Sequence, residues 1–166
     1  MNYAKGFTLI ELLIVIIIIG ILATLTFISY SSSDKQARDA QRKNDITQYR
    51  NLLQQYAVSH NATYPTSTNP GSPETITSSN LCGEFQPVLS PCLTDPVAGS
   101  NPFNDGGPTL NYWYIGDGKN YVLYARMESG SDKFWESCSN GLSGVVSTNT
   151  SGVNIPPTDA SDCGVI

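Results

Sequence analysis

The sequence predicts an α+β fold, with one long N-terminal α-helix packed on a small antiparallel β-sheet in a loop-rich, disulfide-stapled head. Three observations carry this. Residues 7–30 are apolar apart from a few small or hydroxylated side chains, and hold a single charge, Glu11. No proline occurs before Pro65, and apolar residues recur mostly three or four apart between Ala37 and Tyr56. Beyond Asn61 the chain turns to Gly, Pro, Ser, Thr and Asn, with short Tyr-, Trp- and Val-rich runs and all four cysteines.

As a helix, residues 7–30 extend about 36 Å at 1.5 Å per residue, enough to cross a hydrocarbon core of roughly 30 Å. The run Ile16-Ile17-Ile18-Ile19 has no polar face, as expected of a helix surrounded by apolar material. Residues 1–6 form a short polar leader, and Lys5 favours an N-inside orientation. A secretory signal has an apolar region of about 7–15 residues before a small-residue cleavage site. Here the run is longer and begins directly after Gly6, and Ser29-Tyr30-Ser31 mimics such a site only weakly.

The helix is expected to continue to about residue 60. Ala37, Ala40, Ile46, Tyr49, Leu53 and Tyr56 make one face, destined for a sheet, and Lys35, Arg38, Asp39, Arg42 and Asp45 take the remaining faces. Tyr64-Pro65 marks the stop, because proline disfavours helical geometry in the residue before it. Residues 66–80 read as loop. Leu110–Ile115 and Tyr121–Met127 are strand-like and flank the turn signal Gly116-Asp117-Gly118-Lys119, which predicts a β-hairpin. Residues 144–148 are a third strand, and 85–89 a fourth element in which Pro87 argues against a central position. Of Tyr112, Trp113, Tyr114, Tyr121, Tyr124 and Trp135, half are expected to pack on the helix. The other half would face outward, for subunit contacts or a sugar surface.

Charge and chemistry narrow the function classes. Charged residues make up 14% of the chain, against about 25% in an ordinary soluble domain. From Asn61 onward ten carboxylates face three basic residues, Lys119, Arg126 and Lys133, a net of −7. Such a head repels phosphate, so nucleic acid is not an expected direct partner. The even cysteine count (Cys82, Cys92, Cys138, Cys163) in an exported segment points to two disulfides. Zinc is the alternative, but there is no Cys-x-x-Cys and His60 is the sole histidine. No cofactor is expected; calcium at Asp95, Asn104, Asp105 and Asp117 is the candidate, without EF-hand spacing and against the commoner use of such residues in turns. No nucleophile elbow, phosphate loop or paired-carboxylate motif supports catalysis. The sequons at Asn61 and Asn149 are short enough to arise by chance.

One stretch is sharper than the rest. Residues 5–22, KGFTLIELLIVIIIIGIL, closely resemble the N-terminal signature of type IV pilins and the related pseudopilins. The resemblance covers roughly the first 30 residues. Tyr64-Pro65, Thr94-Asp95-Pro96 and residues 121–128 are similar to head sequences of that family, more loosely. The resemblance implies cleavage between Gly6 and Phe7 by a membrane prepilin peptidase and N-methylation of the new Phe7 amine. It divides the chain into a leader (1–6), a transmembrane and polymerisation helix (7–30) and a head (31–166) that includes the amphipathic helix 31–60. It also implies the partners: copies of the chain in a helical filament, an assembly ATPase and an inner-membrane platform protein. The place would be the bacterial inner membrane before assembly and an extracellular pilus after it. Cys138 and Cys163 resemble the family's C-terminal disulfide loop, which leaves Cys82 and Cys92 as the other pair.

Glu11 is the most informative single residue. A carboxylate at a helix centre in a membrane costs about 2.5–3.5 kcal/mol on insertion scales. The electropositive N-terminus of its own helix softens that cost, which is one sufficient role. The surrounding signature implies the other, pairing with the Phe7 amine of a neighbouring subunit. The family's common proline after Gly20 is missing here, though Gly20, Thr24 and Thr26 allow local loosening. Three functions follow: a pilus subunit for adhesion or motility, a pseudopilin of a secretion or competence system, and a membrane-anchored binding module that never polymerises.

Overall fold

Helical hydrogen bonding starts just after Thr8 and runs from Leu9 to Ser59 (α1), within two residues of the expected bounds. This computed structural model describes residues 6–69, 72–103, 109–147 and 163, without the side chains of 25–31. The helix ends before Pro65 can act. Asn61 and Ala62 take positive φ (61° and 59°), and the Ala62 N–H reaches back to the Ala57 carbonyl at 2.8 Å. A left-handed pair thus closes the last turn, with Asn61 well suited to it.

The chain forms two units, Met1–Ala37 and Arg38–Ile166. In the first, every described residue from Gly6 to Thr24 is exposed. Its large apolar residues from Phe7 to Leu22 keep between 46% and 86% of their surface. Among the described residues no helix is long and apolar enough to cross a membrane. The described apolar side chains of α1, residues 9–24, span about 24 Å at 1.5 Å per residue, short of a roughly 30 Å core. Residues 25–30 of the expected 7–30 segment lie outside the described side chains.

The second unit holds a five-stranded antiparallel meander in the order β1 (Glu74–Thr75), β2 (Tyr112–Gly116), β3 (Tyr121–Arg126), β4 (Lys133–Cys138) and β5 (Ser143–Ser147). The predicted hairpin is β2–β3, with Tyr112 opposite Ala125 and Gly116 opposite Tyr121. Its turn is closed by Asp117, whose Oδ1 accepts the N–H groups of Lys119 (2.7 Å) and Asn120 (2.6 Å), and by Gly118 at φ +90°. A Cβ on Gly116 would lie 2.3 Å from the Pro65 carbonyl oxygen, so only glycine fits there. The predicted third strand is β5. The expected loop 66–80 contains β1, two residues pairing Glu74 with Tyr114 and Thr75 with Trp113. Residues 85–89 form no strand; they follow a short helix, α2 (Leu81–Glu84), and Phe85 enters the core.

One sheet face packs Tyr112, Tyr114, Tyr121, Leu123 and Ala125 against Ile46, Tyr49 and Leu53 of α1, with Leu81, Cys82 and Phe85 alongside. The other face was expected to be outward, but it is covered. Tyr124, Ile115, Val122 and Phe134 are fully buried there with Cys138, and Trp113, Val146 and Cys163 pack against them. Both faces of this sheet are therefore core, which removes the aromatic ladder as a sugar-binding surface. Cys82–Cys92 and Cys138–Cys163 are disulfide-bonded across 10 and 25 residues. In the chain-entropy account such loops contribute roughly 3 and 3.5 kcal/mol.

Candidate functional site

The N-terminal motif folds around a reciprocal cap. The Thr8 backbone N–H and its hydroxyl both donate to Glu11 Oε2, at 2.9 and 2.8 Å, and the Glu11 N–H returns a bond to Thr8 Oγ1 at 3.3 Å. This is a capping box, in which residues three apart satisfy each other's otherwise orphaned N–H groups. Both bonds fall on one carboxylate oxygen, leaving Oε1 without a partner among the described residues. Gly6 and Phe7 precede the cap in exposed, non-helical chain, and a Cβ on Gly6 would meet nothing within 4 Å. The helix continues unbroken past Gly20, where the Thr24 hydroxyl donates to the Gly20 and Ile21 carbonyls at 3.1 and 2.7 Å.

In the second unit the polar residues of α1 do what the periodicity did not predict. Ala37 and Ala40 are exposed, while Asp39, Arg42 and Asp45 are buried in line with Ile46, Tyr49 and Leu53. The buried stripe keeps its helical spacing but runs through charges, because the head supplies counter-charges. The fully buried Arg42 guanidinium donates to Asp95 (2.6 and 2.9 Å), Asp39 (2.8 Å) and Glu128 (2.7 Å). Arg38 forks onto Glu128 at 2.8 and 2.6 Å. Asp39 also accepts the N–H groups of Glu128 (2.8 Å) and Ser129 (3.0 Å), and Asp95 Oδ1 accepts that of Val97 (2.9 Å). Two guanidinium groups and three carboxylates thus clamp α1 to the loop before Val97 and to the end of β3. The available sequence signal was the Asp39, Arg42, Asp45, Ile46, Tyr49 spacing, with Asp95 as an isolated carboxylate in an otherwise neutral stretch.

The clamp sets opposite titration behaviour in two carboxyls. The bond from Arg38 holds Glu128 below the usual carboxylate range, against a smaller desolvation penalty, and Arg42 adds to it. Burial of Asp45 raises its carboxyl, and the bond from Tyr112 (2.7 Å) offsets this only in part. Burial alone would lower Arg42, but its bonds to Asp95, Glu128 and Asp39 outweigh that and raise it. A carboxyl raised by folding binds its proton more tightly in the native state. Asp45 therefore subtracts stability once pH exceeds its unfolded value, and the penalty is complete above its folded value. Asp45→Asn keeps an acceptor for Tyr112 and cannot ionise. It should raise head stability at pH 7 by up to about 1 kcal/mol. In thermal melts the gain should vanish as pH falls below the ordinary carboxylate range.

Two of the four calcium candidates are described, and both have other partners. Asp95 is committed to Arg42 and Asp117 to its own turn, while Asn104 and Asp105 lie outside the described residues. Glu136, Cys138 and Cys163 lie close together, but both sulfurs are in the disulfide. His60 stacks on Tyr56 at 3.7 Å, beside the helix end.

No curated protein and no solved structure matches the chain. Residues 1–27 match the family model described as the prokaryotic N-terminal methylation motif. With Gly6, Phe7 and the capped Glu11 in place inside that match, the chain carries the prepilin-type signature of type IV pilins and pseudopilins.

Proposed function

We propose that this chain is a structural subunit of a type IV pilus, cleaved between Gly6 and Phe7, methylated on Phe7 and polymerised into a surface filament for adhesion or motility. One observation carries the reading: the methylation motif leads directly into a helix whose apolar side chains are exposed all round. So much apolar surface on one subunit needs a non-aqueous surrounding. A bilayer before assembly and neighbouring helices after it provide the same apolar surroundings, so transfer between them costs little hydrophobic energy and packing decides. Glu11 in the capped first turn, with Oε1 available, suits the charged amine of a neighbour's Phe7. The membrane inserts the subunit N-terminus inside, and a prepilin peptidase, an assembly ATPase and a platform protein act on it. The pseudopilin reading shares every one of these features and differs in the fibre's length and place.

Intact-mass and peptide mapping of the mature protein should give a chain that starts at Phe7 and carries one added methyl group. Immunogold microscopy should place it in filaments on the cell surface. A chain retaining residues 1–6 would refute processing. A processed chain found only in a short envelope fibre, with secretion lost on its deletion, would assign it as a pseudopilin.

A further inference from the structure

The head nets strongly negative, yet one edge of its sheet is cationic. β5 is the last strand; Arg50 of α1 reaches it at Ser143, and Lys43 of α1 lies over the neighbouring β4 at Trp135. The Lys43 ammonium sits 4.9 Å over the Trp135 ring, and Arg50 Nη1 reaches only Ser143 Oγ, at 3.5 Å. Arg50 Nε is buried without an acceptor. Among the described residues neither side chain has a carboxylate partner, whereas Arg38 and Arg42 are saturated with them. The opposite edge is the reverse. Between β1 and α2 lies a cleft of about 260 Å³ lined by Glu74, Glu84, Tyr56, Tyr114, Asn80 and Thr66, with no basic residue. Glu74 accepts the Thr68 N–H at 2.9 Å, and neither glutamate has an ion pair among the described residues. Four strand spacings, roughly 19 Å, separate the two edges.

We propose that the Lys43–Arg50 edge of one head docks on the Glu74–Glu84 cleft of the next copy of this chain. The occupant follows from charge complementarity: each edge carries what the other lacks, and among the described residues neither is compensated by an ion pair. Because the two surfaces are different and lie on opposite edges, the contact is head-to-tail. A head-to-tail contact that does not close on itself propagates as an open helical array. The inference rests on the filament reading and adds to it where the heads touch.

The test is charge reversal in the full-length chain expressed in its own assembly system. Arg50→Glu and Glu84→Arg, each alone, should lower recovered filament at least about tenfold, since like charges then face each other. The two together should restore recovery to within about twofold. Lys43→Glu serves as a second variant if Arg50→Glu lowers the melting temperature. Lys43→Cys with Glu84→Cys should give a ladder of covalent multimers on non-reducing gels. Unchanged recovery in the single variants, no rescue in the double, or dimers without a ladder would overturn this interface while the filament reading stands. Loss of binding to an anionic polysaccharide with assembly intact would also overturn it, by assigning the edge to a foreign anion. Absence of filaments from the unmutated chain would instead sink the filament reading.

Discussion

Replacing Arg42 with methionine should cost the head about 3–5 kcal/mol, the scale expected when one partner of a buried ionic cluster is removed. A domain has about 5–15 kcal/mol to lose, so the variant stands near unfolding. The methionine fills much of the volume; what it leaves behind is the problem. Asp95 is fully buried and retains only the Val97 N–H among its described bonds, while Asp39 and Glu128 lose one donor each. The pH dependence identifies the cause. In the native chain Glu128 is held low by Arg38 and Arg42, so its contribution is present above the unfolded value and is lost as pH falls through the folded one. In the variant Glu128 keeps Arg38 but loses Arg42, so the stability lost on acidification should be smaller than in the native chain. Urea titrations of the detergent-solubilised chain, followed by Trp113 and Trp135 fluorescence, give both quantities. An unchanged midpoint would falsify the clamp as a stabilising element.

The second large effect is at Glu11, where Glu11→Gln should leave a folded, processed subunit that does not enter filaments. Glutamine completes a capping box as glutamate does, so this change removes the charge and keeps the cap. Glu11→Ala removes both, and Thr8→Ala removes the cap's hydroxyl while keeping the charge. If the carboxylate pairs with a neighbour's amine, filament recovery by shearing should collapse in Glu11→Gln and Glu11→Ala and persist in Thr8→Ala. If the residue merely completes its own helix, Glu11→Gln should assemble normally and Thr8→Ala should be the damaged variant. A lost cap costs roughly 1 kcal/mol, too little to abolish assembly of a 51-residue helix.

What could be read from the chain depended on whether a local pattern was strong enough to stand alone. The helix needed only an absence of proline and a spacing, and the β2–β3 hairpin announced itself by Gly116-Asp117-Gly118-Lys119 between aromatic strands. β4 was missed because Lys133, Glu136 and Ser137 dilute its alternation, although Glu136 is buried in the fold. β1 has two residues, too few to leave any period. Asp39, Arg42 and Asp45 were assigned to the exposed faces because charge normally means solvent. Their burial depends on Asp95, Tyr112 and Glu128, and for Arg42 a counter-charge 53 positions away at Asp95, or farther still at Glu128, leaves no trace in a helical window. The N-terminal methylation motif was the opposite case: its sharpest part, Gly6 to Glu11, lies in consecutive residues.

The meander and the clamp also differ in when they can form. From β2 to β5 each strand pairs with its immediate successor across a short turn, so this part of the sheet can zip one hairpin at a time, whereas β1 reaches β2 only across residues 76–111. The clamp joins residues 53 and 90 positions apart and must wait until Glu128 has arrived. Contacts of that range carry more loop-closure entropy and tend to consolidate after the rate-limiting step. Substitutions at Arg42 should then act mainly by accelerating unfolding, and substitutions in the Asp117 turn by slowing folding. The ionic cluster is, on this account, the latch that sets how long a finished head stays closed rather than the seed from which it grows.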